Sequence, residues 1–347
     1  MGMIKIPKES IDFFNKNYNS IFETGNLAEG PWNKEICSWI NDYSGAKFSE
    51  VFNSNGSGIF SILSILKKYR GKTDFFIQSN TMYGVKVMGN ASGLNFLGAV
   101  PCSLDSLMPK TKQVLDFITT LKNPQNTVFL LTHIGGWTNP DIKEIVKLCD
   151  QFGIVVIEDC AHSLGSTLDE SHTGLFGLAG VYSLYATKAI PVGEGGIMVT
   201  NDEELSDLIS RFIIYDRFQQ QIDIGVNLRM SELNALLAYS VLICTEDIIK
   251  DKQTVARLYM KACDQKNIQY INPFTNGQRS NLYKFILLDK DNDSKIFSSI
   301  THKTSPVYDY SLGKDPENII SSHICLPIWY KLEQSAIDIT ISQINLV

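Results

Sequence analysis

The chain has 347 residues, of which 44% are hydrophobic and 20% charged, and carries a formal net charge of −6 at pH 7. That length allows one large or two moderate domains with a sizeable core, and the acidic balance, with no dense basic stripe, argues against nucleic acid as a partner. No run approaches the roughly 20 apolar residues of a membrane span, the amino terminus lacks a secretory signature, and the seven cysteines are scattered without a Cys-x-x-Cys pair, so a soluble cytoplasmic protein with reduced thiols and no structural metal is expected.

In chain order, strand patterns occur at 48–53, 73–79, 99–105, 127–134, 153–159, 180–186 and 197–201. Helical spacing of apolar residues separates most of them, at 58–69, 85–97, 110–121 and 140–151, the last opened by Pro140. Such alternation predicts an α/β fold with a mainly parallel seven-stranded sheet flanked by helices. After Asn201, Asp202-Glu-Glu-Leu reads as an acidic helix start. Beyond about residue 230 the pattern changes to long helices at 231–242 and 245–266. A strand at 283–288, a helix at 294–301 and a final helix at 332–344 then predict a smaller C-terminal α/β domain. The expected division is 1–245 for the large domain and 246–347 for the small one.

Two residues of this pattern carry chemistry. Gly153-Ile-Val-Val-Ile-Glu158 is a continuous apolar and β-branched run with Asp159 at its carboxyl end, where open α/β sheets bind ligands. Lys188 follows the next strand pattern in the same way. A carboxylate and an amine brought to one crevice suit pyridoxal phosphate: the amine holds the cofactor aldehyde as a Schiff base, and the acid keeps the pyridine nitrogen protonated. Asn53-Ser-Asn-Gly-Ser-Gly58 joins a strand to a helix, and Gly56 and Ser57 there are suited to a phosphate at the helix N-terminus. Ser183, on the strand that delivers the lysine, could donate to the same phosphate, and His162 could lie against the ring or bond its phenolic oxygen. Cys160 reads as a small buried neighbour of Asp159 rather than a nucleophile.

Together these segments resemble the DegT/DnrJ/EryC1/StrS family of fold-type-I pyridoxal-phosphate aminotransferases that act on sugars. The similarity spans nearly the whole chain. It is carried by Glu158-Asp-Cys-Ala-His162, Gly174 to Gly177, Ser183 to Lys188, Gly193-Glu-Gly-Gly196 and Val226-Asn-Leu-Arg-Met-Ser-Glu232, with Thr24-Gly-Asn-Leu-Ala-Glu-Gly-Pro-Trp32 and Leu326-Pro-Ile328 in support. The resemblance implies a covalent anchor and general acid/base at Lys188, Asp159 at the pyridine nitrogen, and Gly56, Ser57 and Ser183 around the phosphate. It also implies that Asn227 reaches the phosphate of a neighbouring subunit, and hence a homodimer with shared active sites. Where the family usually stacks an aromatic residue on the ring, this chain has Met82 followed by Tyr83, so either a Met82 sulfur contact or Tyr83 fills that place.

The implied reaction moves an amino group from an amino acid, expected to be L-glutamate, to a keto-sugar, most often nucleotide-linked, for surface polysaccharide or glycoconjugate synthesis. A smaller ketone, such as a phosphorylated triose or a cyclitol, is an alternative acceptor. A non-catalytic binding or regulatory protein on the same fold is the alternative of another class, disfavoured because acid, amine and phosphate residues all stand. Arg229, Tyr308, Tyr310 and Trp137 are possible acceptor contacts.

Overall fold

The computed structural model describes residues 4–215, 221–275, 277–290 and 298–347. Helices α1 (Lys8–Thr24) and α2 (Pro31–Ser44) come first, and no strand pattern announces them. Then follow β1 (Phe48–Phe52), α3 (Asn55–Arg70), β2 (Asp74–Gln78), α4 (Tyr83–Ala91), β3 (Asn95–Val100), α5 (Thr111–Ile118), β4 (Thr127–Thr132), α6 (Ile142–Gln151) and β5 (Val155–Cys160). Two short strands, β6 (Thr167–Leu168) and β7 (Ser171–His172), precede β8 (Ala179–Ser183), β9 (Gly196–Thr200), α7 (Glu203–Ile214) and α8 (Glu232–Leu242). The chain closes with α9 (Thr245–Gln265), β10 (Gln278–Arg279), β11 (Phe285–Leu288), β12 (His323–Leu326) and α10 (Gln334–Leu346).

Seven strands form one sheet in the order β1-β9-β8-β5-β4-β2-β3. The pairs from β8 to β3 are parallel, and β9 alone runs against its neighbours. The sheet is therefore mainly parallel, as expected. Successive side chains point to opposite faces, and both faces are dry. Phe75, Ile77, Val128 and Leu130 pack with residues of α3 and α7, whereas Phe76, Phe129 and Leu131 pack with residues of α5 and α6. Burial on both sides explains why these strands read as unbroken apolar runs.

Several boundaries differ from the sequence reading. The helix expected over 85–97 stops at Ala91, because Gly93 at φ 78° turns the chain into β3, and the strand expected over 99–105 lies earlier, at Asn95–Val100. Pro101 follows β3 and lacks the amide a ladder needs. Pro140 does not open α6 but precedes its N-cap, Asp141. Of the helix expected at 294–301, residues 294–297 lie outside the described residues.

In the C-terminal part, β11 and β12 pair antiparallel and pack with α9 and α10 around Tyr259, Phe285, Leu326 and Ile344. At the other end of the chain, α1 and α2 pack against α8. Glu232, 1% exposed, accepts from the Trp32 amide at 2.6 Å and from Asn33 Nδ2 at 2.7 Å. Gly30 is needed there, since a Cβ would lie 2.6 Å from Glu232 Oε1. Among the described residues no helix is long and apolar enough to cross a membrane.

The tightest polar knot is at the end of β5. The fully buried Glu158 accepts from the Gly174 amide at 2.7 Å, Phe176 at 2.8 Å and Gly177 at 2.7 Å, and pairs with His133 Nε2 at 2.7 Å. His133 Nδ1 accepts from the Asn139 amide at 3.0 Å, so the ring proton sits on Nε2 and faces the carboxylate. Glu158→Ala would strand three backbone donors, each costing on the order of 1–3 kcal/mol when buried unpaired. The variant is expected to lose about 3 kcal/mol or more, measured as a lower urea midpoint; an unchanged midpoint would contradict the clamp.

Candidate functional site

The parallel strands β5 and β8 end on the same side of the sheet, and β1 runs the same way as β8 because β9 opposes both. Three chain segments therefore emerge together: Asp159 to His162 after β5, the Ser54 to Gly58 turn after β1, and Ser183 to Lys188 after β8. This is the crevice at the carboxyl ends of strands that the sequence pattern predicts.

Asp159 is 2% exposed. Its Oδ1 accepts from Asn55 Nδ2 and from the Ala161 amide, both at 3.1 Å, and its Oδ2 from Thr132 Oγ1 at 3.4 Å. Burial pushes its carboxyl pKa up, while the Ala161 amide, the charge of Lys188 and the Asn55 amide oppose that shift. Asn55 is itself fixed by a 2.7 Å bond to the Val181 carbonyl. Among the described residues no cation contacts this oriented, dry carboxylate, and a protonated ring nitrogen would supply one.

Lys188 sits in a turn, its amide bonded to the Tyr185 carbonyl at 2.9 Å, with Nζ 5.3 Å from the centre of the Tyr283 ring. Burial lowers its amine to about 8 against the opposing pull of Asp159. His162 is buried and packs on Tyr283 with ring centres 4.3 Å apart and planes tilted by 30°. Its Nε2 lies 3.4 Å from Tyr308 Oη, and its buried Nδ1 has no hydrogen-bond partner among the described residues. Burial, with Lys188 and Lys284 nearby, holds this ring well below its usual pKa, so it is neutral.

The helix α3 starts with Ser54 as N-cap, accepting from the Ser57 amide at 3.1 Å, while Ser57 Oγ is 2.5 Å from Asn53 Oδ1. Gly56 and Ser57 thus lie in the first turn, where backbone donors lack helical partners. Ser183 ends β8, and its hydroxyl accepts from the Tyr185 amide at 3.3 Å. These residues fit a phosphorylated ring: an orphaned histidine nitrogen, an oriented buried acid, an amine lowered to about 8 and a first-turn anion cradle share one crevice.

The remaining predicted residues are spread more widely. Met82 and Tyr83 are 53% and 55% exposed, and the Met82 backbone hydrogen-bonds Tyr308, the neighbour of His162. Asn227 is exposed, while the next carbonyl, of Leu228, accepts from the Asn53 amide at 2.8 Å. Arg229 pairs with Glu29 and donates to the Ile213 carbonyl at 2.7 Å. Tyr310 Oη accepts from the Tyr83 amide at 2.8 Å, and Trp137 lies in a separate apolar cluster. Sequence reasoning missed Asn55, which stands inside the glycine- and serine-rich turn, and Tyr283, which only the tertiary structure brings to His162. His133, Glu158 and Cys160 hold potential metal ligands within 4.8 Å, yet both Glu158 oxygens are committed to protein donors. Cys160 is buried, and its thiol is pushed well above the usual range by burial and by Glu158, so it is no nucleophile.

A family model described as the DegT/DnrJ/EryC1/StrS aminotransferase family matches residues 9–345. The chain is 28% identical over 180 residues to the GDP-perosamine synthase of Escherichia coli O157:H7, a match that covers 50% of this chain and 49% of that one. It is 26% identical over 302 residues to the spore coat polysaccharide biosynthesis protein SpsC of Bacillus subtilis (strain 168), covering 82% and 74% of the two. The fold is shared with NtdA from Bacillus subtilis, solved with bound cofactor PMP, at a TM-score of 0.82 and 16% identity, covering 98% of this chain and 82% of that one.

Because only the neutral amine attacks an aldehyde, trapping of Lys188 by an aromatic aldehyde and borohydride should rise about tenfold per pH unit below 8 and level off above it. Peptide mapping of the trapped residue checks this, and labelling that keeps climbing past about pH 10 would contradict the lowered amine.

Proposed function

Because the chain belongs to the DegT/DnrJ/EryC1/StrS aminotransferase family, we propose that it is a pyridoxal-phosphate enzyme that moves an amino group from an amino acid, L-glutamate, to a keto-sugar carried on a nucleotide. The observation that carries the reading is the pairing of a dry, oriented Asp159 with the Lys188 amine held near neutrality. The names of the relatives, one a GDP-perosamine synthase and one a spore coat polysaccharide protein, support a sugar acceptor destined for surface polysaccharide.

The cofactor, when bound, supplies an aldehyde for amines and an electron-accepting ring. The residues of the chain do the rest. Asp159, aimed by Asn55, the Ala161 amide and Thr132, holds a proton at the ring nitrogen, because a buried carboxylate stabilises the adjacent positive charge. Gly56, Ser57 and Ser183 bind the phosphate. Lys188 takes and returns a proton at the substrate carbon that bears nitrogen, a role open to it because burial frees its amine of a proton near pH 8. His162, neutral and braced by Tyr283 and Tyr308, orients the ring without exchanging its own proton.

Asn227, exposed on its own subunit, is read as reaching the phosphate of a second copy, which makes the enzyme a homodimer with shared sites. Met82 or Tyr83, also exposed, would cover the ring in that assembly. Residues 1–245 form the cofactor domain in this reading, and 246–347 the smaller one. Seven free cysteines, six of them buried, fit a reducing cytoplasmic setting.

Purified protein loaded with pyridoxal phosphate is expected to show a near-visible absorbance band that L-glutamate converts to a shorter-wavelength form and a nucleotide-linked keto-sugar restores. Lys188→Ala should keep the fold by circular dichroism and lose turnover by about a thousandfold or more. Near-normal turnover of that variant, or a band that no amino acid alters, would refute the proposal.

A further inference from the structure

A cavity of about 670 Å³ opens beside Lys188, between the turn that carries it, α9 and the C-terminal part of the chain. Among the described residues its wall holds five lysines, Lys5, Lys188, Lys252, Lys284 and Lys303, together with His302, and no aspartate or glutamate. Lys5 is neutralised by Glu333 at 2.7 Å, and Lys284 donates to the Ser305 carbonyl at 3.0 Å, which bonds the amine without cancelling its charge.

Lys252 is the decisive residue. It lies on α9, is 2% exposed, and among the described residues makes no hydrogen bond or ion pair. The adjacent carboxylate, Asp251, is engaged by Lys331, through its amide at 2.7 Å and its Nζ at 3.4 Å. Burial accordingly lowers the Lys252 amine to about 7. An amine buried without a counter-charge is costly, and an anion seated in this cavity would compensate it.

We propose that this cavity is an anion site that receives a carboxylate of a dicarboxylic amino donor, with Lys252 compensating its charge. Lys188 lies on the same wall, so a donor held here has its amine within the cavity that the reacting lysine lines. Lys252, Lys284 and Lys303 together exceed the charge of one carboxylate, which favours a dicarboxylic donor over a monocarboxylic one. The identity of the donor rests on the aminotransferase reading; the anion site does not. The same chemistry could hold the diphosphate of an acceptor, and the two sources are separable.

The test is calorimetric titration of the holoenzyme with glutarate, a dicarboxylate that has no amine to react, and separately with inorganic pyrophosphate. Glutarate is expected to bind, and Lys252→Met to weaken it roughly tenfold or more, the scale of a charge-assisted hydrogen bond, while Lys147→Met on the surface leaves it unchanged. Methionine suits the apolar surroundings, and Lys252→Gln serves in its place if melting shows that variant unfolded. Absence of glutarate binding, equal binding to wild type and both Lys252 variants, or a loss confined to pyrophosphate would overturn the proposal. Glutarate binding that depends on Lys252 in a protein inert toward glutamate would sustain the site while removing the function proposed above.

Discussion

Everything at the candidate site hangs from the end of β5, where two adjacent carboxylates point to opposite faces of the sheet. Glu158 is satisfied by three backbone amides and His133, and so ties the Gly174 to Gly177 loop and the His133 loop to one strand. Asp159, one residue on, takes the other face by strand alternation. With one acid fully hydrogen-bonded within the protein and its neighbour held by longer bonds, the strand end is rigid yet leaves Asp159 available to a ligand. The close contact of Gly174 with Gly180, where a Cβ on Gly180 would come within 2.1 Å of the Gly174 Cα, fixes β8 against the same loop. The strand that leads to Lys188 is thereby set relative to the strand that carries Asp159.

Electrostatics then divides the labour. Lys188 and Asp159 are close enough to influence each other's ionisation, but burial opposes the charged form of both. The pair is not a settled salt bridge, which would lock the amine as a cation. Instead desolvation dominates, and the amine remains available for chemistry while the acid waits for a cation from outside the chain. Neutral His162, beside Tyr283 and Tyr308, adds a flat polar edge to this environment without adding charge.

How much of this was written in the sequence depends on whether the signal is local. Asp159 and Lys188 were legible because doubly buried parallel strands leave unbroken β-branched runs, and each residue stands just past one. The α3 turn was legible as glycine and serine between strand and helix. Asn55 was hidden in that same turn, since its role is a tertiary bond to Asp159 rather than a local pattern. The end of α4 was misread because Leu94 and Leu97 continue the helical spacing past Gly93, whose left-handed backbone breaks it. Lys252 was invisible for a different reason: in the charged stretch of α9 a lysine reads as a solvated side chain, and only packing against the C-terminal part buries it.

The union of α1 and α2 with α8 has a temporal side. Ser10 Oγ donates to the Ser240 carbonyl, and the Trp32 amide to Glu232, so the first helices find their partners only some two hundred residues later. On a ribosome adding roughly 10 residues each second, that is about 20 s during which these helices are out of the channel without their final cover. Phe13 and Trp32, which finally meet Tyr239, are then apolar surface offered to chaperones or to other nascent chains. The sheet can assemble in the interval, but the molecule is sealed late, by its own beginning.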